Sequence, residues 1–325
     1  MSKRSTAIAA LFLTACGSSQ PEAQTAAEPP SDTPMAATTV AEPPAPAEPT
    51  PEEKKKAEAA QKLADKAYPT GKAAIQAAVA GKHRKPGHAD RDKQRHPVET
   101  LELFGFKPTM TVLEYGPGEG WYTELLAPAL AKKGKLLVTN GDPNGPADQR
   151  ATFYAQRVKL LLESAPEVYG KVETVTVDGK APKLGREATV DLALVIRGLH
   201  GMNNSGTLDA WLREIHGALK PNGVLGIVQH RAAPDANPEE SSKKGYLPEK
   251  WVIERVEAAG FKLAGKSEVN ANPKDTKDYP EGVWALPPTL QLGDKDREKY
   301  VAIGESDRMT LKFTKAKAKP APAPN

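Results

Sequence analysis

From about residue 85 to residue 315, short apolar runs alternate with longer amphipathic stretches. The runs are rich in Val, Leu and Ile, which is typical of buried strands, and the stretches between them have a helical period. This alternation predicts βα units around a mainly parallel sheet. Seven strands are predicted: Thr111 to Tyr115, Lys135 to Asn140, Val172 to Asp178, Val190 to Arg197, Gly223 to Gln229, Phe261 to Val269, and Met309 to Lys315.

Helices are predicted between these strands and also before them. Those between the strands are Trp121 to Lys132, Arg150 to Ser164, Ser205 to Leu219, and Leu247 to Ala259. Two Ala-rich stretches, Pro51 to Lys66 and Thr70 to Gly81, favour helix as well. We therefore predict a helical extension over 52–84, followed by an α/β domain over 85–315.

The first sixteen residues have the pattern of an export signal. Lys3 and Arg4 precede an apolar run that is too short to span a bilayer, and the run ends at Leu13-Thr14-Ala15-Cys16. This ending resembles the lipobox of bacterial lipoproteins, which implies cleavage before Cys16 and its lipidation. Cys16 is the only cysteine of the chain, so it has no partner for an internal disulfide. A plain secretory signal followed by an incidental cysteine is the alternative.

The segments 17–51 and 316–325 are poor in large apolar residues and rich in Ala and Pro, which predicts a disordered tether and a disordered tail. With a lipidated Cys16, this layout places the protein in the cell envelope, anchored to a membrane. By resemblance to known sorting behaviour, Gly17 favours the outer membrane, facing the periplasm or the surface. A misread signal and a cytoplasmic protein remain the alternative.

Charge and composition argue against two classes of partner. The net charge of +4 is small, and no aromatic residues interrupt the basic runs 54–56 and 82–95, so no nucleic-acid partner is predicted. His83, His88 and His96 crowd one segment with Asp90 and Asp92, but the spacing matches no zinc pattern, so no metal is predicted. The sequence leaves the oligomeric state open.

A glycine-rich string follows the first predicted strand: Glu114-Tyr115-Gly116-Pro117-Gly118-Glu119-Gly120-Trp121. Glycines in a strand-turn-helix context allow a sharp turn and a close approach of a ligand to the main chain. The dinucleotide fingerprint needs its third glycine one residue later and a small residue where Trp121 stands. An ordinary tight turn is the bland alternative.

This string resembles motif I of class I S-adenosylmethionine-dependent methyltransferases. More narrowly, residues 92–313 resemble a bacterial group of predicted methyltransferases of that class. Four passages carry the closer match: Asp92 to Leu103, Glu114 to Leu126, Trp284 to Pro288, and Gly304 to Met309. The resemblance implies a Rossmann-like seven-stranded sheet with helices on both faces and the last strand inserted antiparallel. It also implies S-adenosylmethionine as cofactor, with Glu114, Gly116, Gly118 and Gly120 in its site.

The acid that the family places after the second strand, for the ribose hydroxyls, is missing. That position holds Asn140, and the nearest acid is Asp142 before Pro143. Asp178 ends the third strand, where the family contacts adenine. Asn140, Asp142 and Asp178 are therefore candidate cofactor ligands, while a turn residue is the equal alternative for both aspartates.

Two histidines follow the fourth and fifth strands, at the edge where open parallel sheets bind ligands. His200 and His230 are candidate general bases, although Gly201 and Gln229 stand where the look-alike sequences carry orienting acids. Hydrogen bonding within a loop is the alternative role. The long segment 270–308 is expected to cover the substrate pocket, with Trp284 and Tyr279 as apolar wall.

The sequence thus predicts methyl transfer from S-adenosylmethionine to a small-molecule or envelope substrate. The alternative is a catalytically inactive methyltransferase-like binding module in the envelope, since a fold does not imply an activity.

Overall fold

The computed structural model describes residues 50–315. The predicted signal peptide with Cys16, most of the predicted tether, and the predicted tail over 316–325 lie outside the described residues. Pro51, where the tether was predicted to end, begins the first helix. Within residues 50–315, no helix combines the length and the apolar character needed to cross a membrane.

A seven-stranded, mainly parallel sheet forms the centre of the fold, as predicted. The strands are β1 Thr111–Tyr115, β2 Lys135–Asn140, β3 Glu173–Thr176, β4 Val190–Ile196, β5 Leu219–His230, β6 Phe261–Ser267, and β7 Arg308–Lys315. Their order across the sheet is β3-β2-β1-β4-β5-β7-β6. β7 runs antiparallel between β5 and β6, while the other neighbouring pairs are parallel. The Rossmann-like sheet and the antiparallel placement of the last strand are therefore confirmed.

Twelve α-helices surround this sheet in residues 50–315. They are α1 Pro51–Asp65, α2 Gly71–Val79, α3 Asp92–Arg95, α4 Pro97–Phe104, α5 Thr123–Leu130, α6 Arg150–Ser164, α7 Pro166–Tyr169, α8 Leu199–Asn204, α9 Leu208–Ala218, α10 Pro238–Lys243, α11 Glu249–Ala258, and α12 Arg297–Ile303. Short 3₁₀ turns occupy Ala89–Arg91 and Gly282–Ala285.

The two faces of the sheet bury two separate apolar cores. Alternate residues of a strand point to opposite faces, and accordingly Val112 packs into one core and Leu113 into the other. β4 is buried along most of its length, as a central parallel strand should be. The centre of the sheet, where β1 and β4 lie side by side, is therefore buried on both faces.

The predicted helical extension packs into the first of these cores. Ile75 and Ala78 of α2 belong to the same cluster as Leu125 and Leu126 of α5. Residues 50–315 therefore form one compact unit in which α1 and α2 cover a face of the sheet.

Candidate functional site

The glycine loop between β1 and α5 has the geometry of a ligand cradle. Gly116, Gly118 and Gly120 all have positive φ, at 50°, 61° and 85°. A Cβ atom added to Gly116 or Gly118 would meet no atom within 4 Å, whereas one on Gly120 would lie 2.0 Å from Cδ2 of Leu161. Two glycines therefore face open space beside the main chain, and the third allows α6 to pack closely.

Glu114 links the end of β1 to the start of α5. Its buried carboxylate accepts a hydrogen bond of 2.7 Å from the Thr123 hydroxyl. Burial raises the pKa of Glu114 to about 7, against the smaller opposing effect of this hydrogen bond. The side chain therefore fixes the geometry of the glycine loop.

The histidine-rich segment 83–96, which precedes α4, forms hydrogen bonds with the glycine loop and the residue after it. Lys85 Nζ donates to the carbonyl of Glu119 at 2.9 Å, and the Trp121 indole donates to the carbonyl of His88 at 2.9 Å. His88 Nδ1 lies 2.9 Å from the Glu124 carboxylate. These contacts give the segment a structural role. Within residues 50–315, no three His, Cys, Asp or Glu side chains are grouped to hold a metal.

The candidate ribose and adenine ligands make local contacts. The Asn140 amide donates to the Ala155 carbonyl at 3.3 Å, and its Oδ1 accepts from the backbone N–H of Gly141 at 3.1 Å. Asp142 accepts from the backbone of Asn144, and Asp178 accepts from that of Lys180. Both aspartates are exposed turn residues at the carboxyl ends of their strands. Cofactor binding by these three residues stays a prediction.

His200 and His230 lie together at the carboxyl edge of the sheet, with ring centroids 5.8 Å apart. His200 Nδ1 faces the side-chain amide of Gln229 at 3.3 Å from Nε2, and His230 Nδ1 is 2.5 Å from the Ser306 hydroxyl. Burial lowers the pKa of His200 to about 4, and it lowers the pKa of His230 well below its usual value. Nearby arginine charges depress both values further, so both imidazoles are neutral at pH 7.

Of the two residues of the inserted segment that were expected to form an apolar wall, only Trp284 lies beside the candidate histidines. The Trp284 ring lies edge-on to His200, with centroids 6.0 Å apart. Tyr279, by contrast, packs on Tyr300 at 5.6 Å, inside a small core of the insertion. The expectation for Tyr279 was wrong because apolar packing within the insertion buries its ring.

An arginine cluster at this edge was missed by the sequence reasoning. We define it as Arg91, Arg95, Arg197 and Arg308. Three of its members share a single carboxylate, that of Glu305, at 2.6 Å from Arg91 Nε, 3.2 Å from Arg95 Nε and 2.7 Å from Arg308 Nη1. Arg95 also stacks on Trp121 at 4.7 Å, which connects the cluster to the glycine loop.

Arg197, the fourth member, directly follows β4 and has a positive φ of 57°. Its side chain makes no hydrogen bond or ion pair within residues 50–315, and its Nε is buried without an acceptor. Burial lowers the pKa of Arg197 to about 10. One sequence signal was available, because a cation directly after a buried central strand stands at the ligand-binding edge.

A groove of about 180 Å³ lies elsewhere, between α1 and α7, lined by Gln61, Asp65, Glu167 and Lys171 among others. Its walls are side chains of surface helices. The residues with the features of a site are instead those at the carboxyl edge, beside β1 and β4.

No protein-family model matches the sequence, and no curated protein matches it. Solved structures match its fold. A SAM-dependent methyltransferase from Aquifex aeolicus is 20% identical, with 71% of this chain and 94% of that chain covered and a TM-score of 0.46. The cyclase SpnF is 18% identical, with 76% and 97% covered and a TM-score of 0.47. The 1,6-didemethyltoxoflavin-N1-methyltransferase from Burkholderia thailandensis, with bound S-adenosylhomocysteine, is 16% identical, with 76% and 80% covered and a TM-score of 0.41.

Proposed function

We propose that the protein transfers a methyl group from S-adenosylmethionine to a small-molecule or envelope substrate. The observation that carries this proposal is the open face of the glycine loop. Gly116 and Gly118 take positive φ, and a Cβ atom on either would project into empty space at the end of a central strand. A ligand that approaches the main chain closely is the physical reason for glycine at such positions.

The sheet order supports the same place for the cofactor. β1 has β2 on one side and β4 on the other, so the chain changes direction across the sheet between β1 and β4. Ligands of open α/β sheets bind in the crevice at such a switch point. Gly116 and Gly118 would border the cofactor, and Glu114 would hold their loop. When bound, S-adenosylmethionine supplies an electrophilic methyl group.

The protein's own part in the reaction is positioning, exclusion of water and hydrogen bonding. His200 and His230 border the crevice from the β4 and β5 side, and Trp284 covers His200. Neutral imidazoles can orient a hydroxyl or amine acceptor by hydrogen bonds. Orientation of the acceptor against the methyl group can lower the barrier by about 7–11 kcal/mol.

A second candidate function, a catalytically inactive binding module, is favoured by one observation. The Asn140 amide bonds to the backbone of Ala155 and Gly141, in the place where a carboxylate would bind two ribose hydroxyls. This reduces the polar contacts available to a ribose. Absence of cofactor binding by the wild type would support the module.

The test is calorimetric titration of S-adenosylmethionine into the full-length protein and two variants. Gly118→Arg fills the open face of the loop. Gly185→Arg is the matched control, since Gly185 has a similar φ of 59° and equally open surroundings in the loop between β3 and β4. We expect binding by the wild type and Gly185→Arg, and none by Gly118→Arg. No binding by the wild type at millimolar cofactor would contradict the proposal.

We also propose that Cys16 is lipidated and anchors the protein to the cell envelope. The apolar run and the sequence Leu13 to Cys16 support this proposal. Metabolic labelling with palmitate, compared between wild type and Cys16→Ser, tests it. The absence of Cys16-dependent label would refute the anchor.

A further inference from the structure

Arg197 lacks a counterion, which sets it apart from two other arginines of the described residues. Arg84 is balanced by Asp92, at 2.5 Å, and by Glu124, at 3.6 Å. Arg231 is balanced by three carboxylates, those of Glu249, Glu268 and Asp307. A guanidinium partly removed from water without a bound carboxylate is unfavourable. A ligand that brings its own negative charge would remove this cost.

The charge balance of the whole arginine cluster also favours a negatively charged ligand. Three of its four guanidinium groups bind one carboxylate, Glu305, whose negative charge also raises the pKa of Arg197. Four positive charges set against one negative charge leave an excess of three. The neighbouring Asp307 does not compensate them, because Arg231 and Lys277 already bind it at 2.9 Å and 3.0 Å. His200 and His230 are neutral and add no charge of either sign.

The cluster lies beside the crevice that the glycine loop borders. Arg197 follows β4, Arg308 begins β7 beside the end of β5, and Arg95 stacks on Trp121 next to Gly120. The positive charge of Arg197 reaches both His200 and His230, whose pKa values it lowers. Arg197 and His200 both follow β4, and His230 ends the neighbouring β5, so a group bound at Arg197 would lie at the same edge of the sheet as the two histidines.

We propose that the methyl acceptor carries an oxyanion group, a carboxylate or a phosphate, which binds Arg197 within the arginine cluster. This inference rests on the proposed function and names its class of substrate. The planar guanidinium fork matches a carboxylate or a phosphate through two parallel hydrogen bonds. The bound anion would also orient the acceptor, so that its nucleophilic atom faces the crevice.

The carboxylate of the cofactor does not supply the negative charge that the arginine cluster lacks. S-adenosylmethionine carries one carboxylate together with an ammonium and a sulfonium group, so its net charge is positive. Its binding would add positive charge to an edge that already has three unbalanced cations. An acceptor with one or more negative charges would reduce this excess of positive charge.

The first test measures the thermal midpoint of the full-length protein, saturated with S-adenosylhomocysteine, in increasing inorganic phosphate at constant ionic strength. A ligand that binds the folded state raises the midpoint. We expect the midpoint of the wild type to rise, and the apparent phosphate affinity of Arg197→Gln to fall at least about tenfold, as expected for a lost charge-assisted pair. Arg213→Gln, which removes an exposed arginine of α9, is the control for net charge. Succinate in place of phosphate shows whether the site prefers a carboxylate.

A rise of the same size in wild type and Arg197→Gln would overturn the proposal, and so would no rise in the wild type with either anion. The same samples show separately whether S-adenosylhomocysteine binds at all. If it does not bind, the proposed function fails, while an Arg197-dependent response to phosphate still supports an anion site.

A second measurement separates the acceptor from the cofactor. Wild type and Arg197→Gln are titrated with S-adenosylhomocysteine and with 5′-methylthioadenosine, which lacks the amino-acid carboxylate. We expect the variant to bind each compound as the wild type does. Weaker binding of S-adenosylhomocysteine alone would assign Arg197 to the cofactor carboxylate and overturn the proposal.

Discussion

Glu114 makes the stability of the protein depend on pH. Its pKa of about 7 in the folded protein lies above the ordinary value of 4.5. Between these values the unfolded chain has released a proton that the folded protein still holds, so the free energy of unfolding falls as pH rises from about 4.5 to about 7. At about 1.4 kcal/mol per pKa unit, the loss is about 3 kcal/mol.

We expect Glu114→Gln to abolish this loss, because the amide stays neutral and its oxygen still accepts from Thr123. Denaturant unfolding at pH 5 and pH 8 measures the effect, with Glu163→Gln on the surface of α6 as control. Parallel pH dependence in wild type and Glu114→Gln would contradict this account of the buried carboxyl.

Substitution by Gln should change the unfolding free energy in opposite directions at Arg84 and at Arg197. Arg84→Gln leaves Asp92 and Glu124 without their cation in a buried place, and should cost about 3–5 kcal/mol of unfolding free energy. Arg197→Gln removes an unbalanced charge from a half-buried place and should raise the unfolding free energy by about 1–2 kcal/mol. Urea unfolding in phosphate-free buffer measures both, and a loss of stability in Arg197→Gln would show that its charge is balanced.

At this scale the sequence predicted the site in part. Gly116, Gly118 and the two histidines could be placed because each follows a strand in a local pattern. The arginine cluster could not, because Arg91 and Glu305 are 214 residues apart and nothing local relates them. The lack of a hydrogen-bond acceptor for Arg197 likewise depends on distant parts of the chain, so no local pattern could predict it.

The contact between the glycine loop and α6 gives a prediction at the scale of elements. Gly120→Ala puts a methyl group 2.0 Å from Leu161 Cδ2, at a φ of 85°. The overlap and the backbone strain together should lower the unfolding free energy by about 2–4 kcal/mol. Gly118→Ala, which meets open space, should cost about 1 kcal/mol from strain alone.

A double-mutant cycle separates overlap from strain. Leu161→Ala makes room for the added methyl group, so we expect Gly120→Ala to cost about 1 kcal/mol less in that background. Strictly additive changes in the unfolding free energy would mean that the methyl group added at residue 120 does not overlap with the Leu161 side chain.

Some element boundaries agree with the sequence-based prediction and others differ from it. β1, β2 and α6 have the predicted bounds because an apolar period and a breaker coincide at each end. β3 is shorter than predicted, at Glu173–Thr176, because it pairs on one side only. The helix predicted from Ser205 begins at Leu208, since Gly206 takes a φ of 69° and separates it from α8.

The N-terminal helices should unfold together with the sheet. Ile75 is buried in the same core as the residues of α5, although it lies in the predicted extension. Ile75→Ala should lower the unfolding free energy of the whole molecule by about 2–5 kcal/mol. Tryptophan fluorescence and far-UV circular dichroism, followed in urea, should shift to one common midpoint, with the exposed Leu160→Ala as control. An unchanged fluorescence midpoint would make the extension an independent module.

β7 is the last strand in the chain but lies inside the sheet, so the sheet cannot be completed before the end of the domain is present. β5 and β6 do not pair with each other, because β7, the last of the seven strands in the chain, lies between them. The same strand starts with Arg308, and the residues just before it supply Glu305, which binds arginines near the start of the fold. Until the segment that holds Glu305 and β7 is present, the sheet has a gap between β5 and β6, and Arg91 and Arg95 lack their carboxylate. A chain cut short before Glu305 would therefore keep its five parallel strands, but it would lack β7, which pairs with β6, and the carboxylate that binds the arginine cluster.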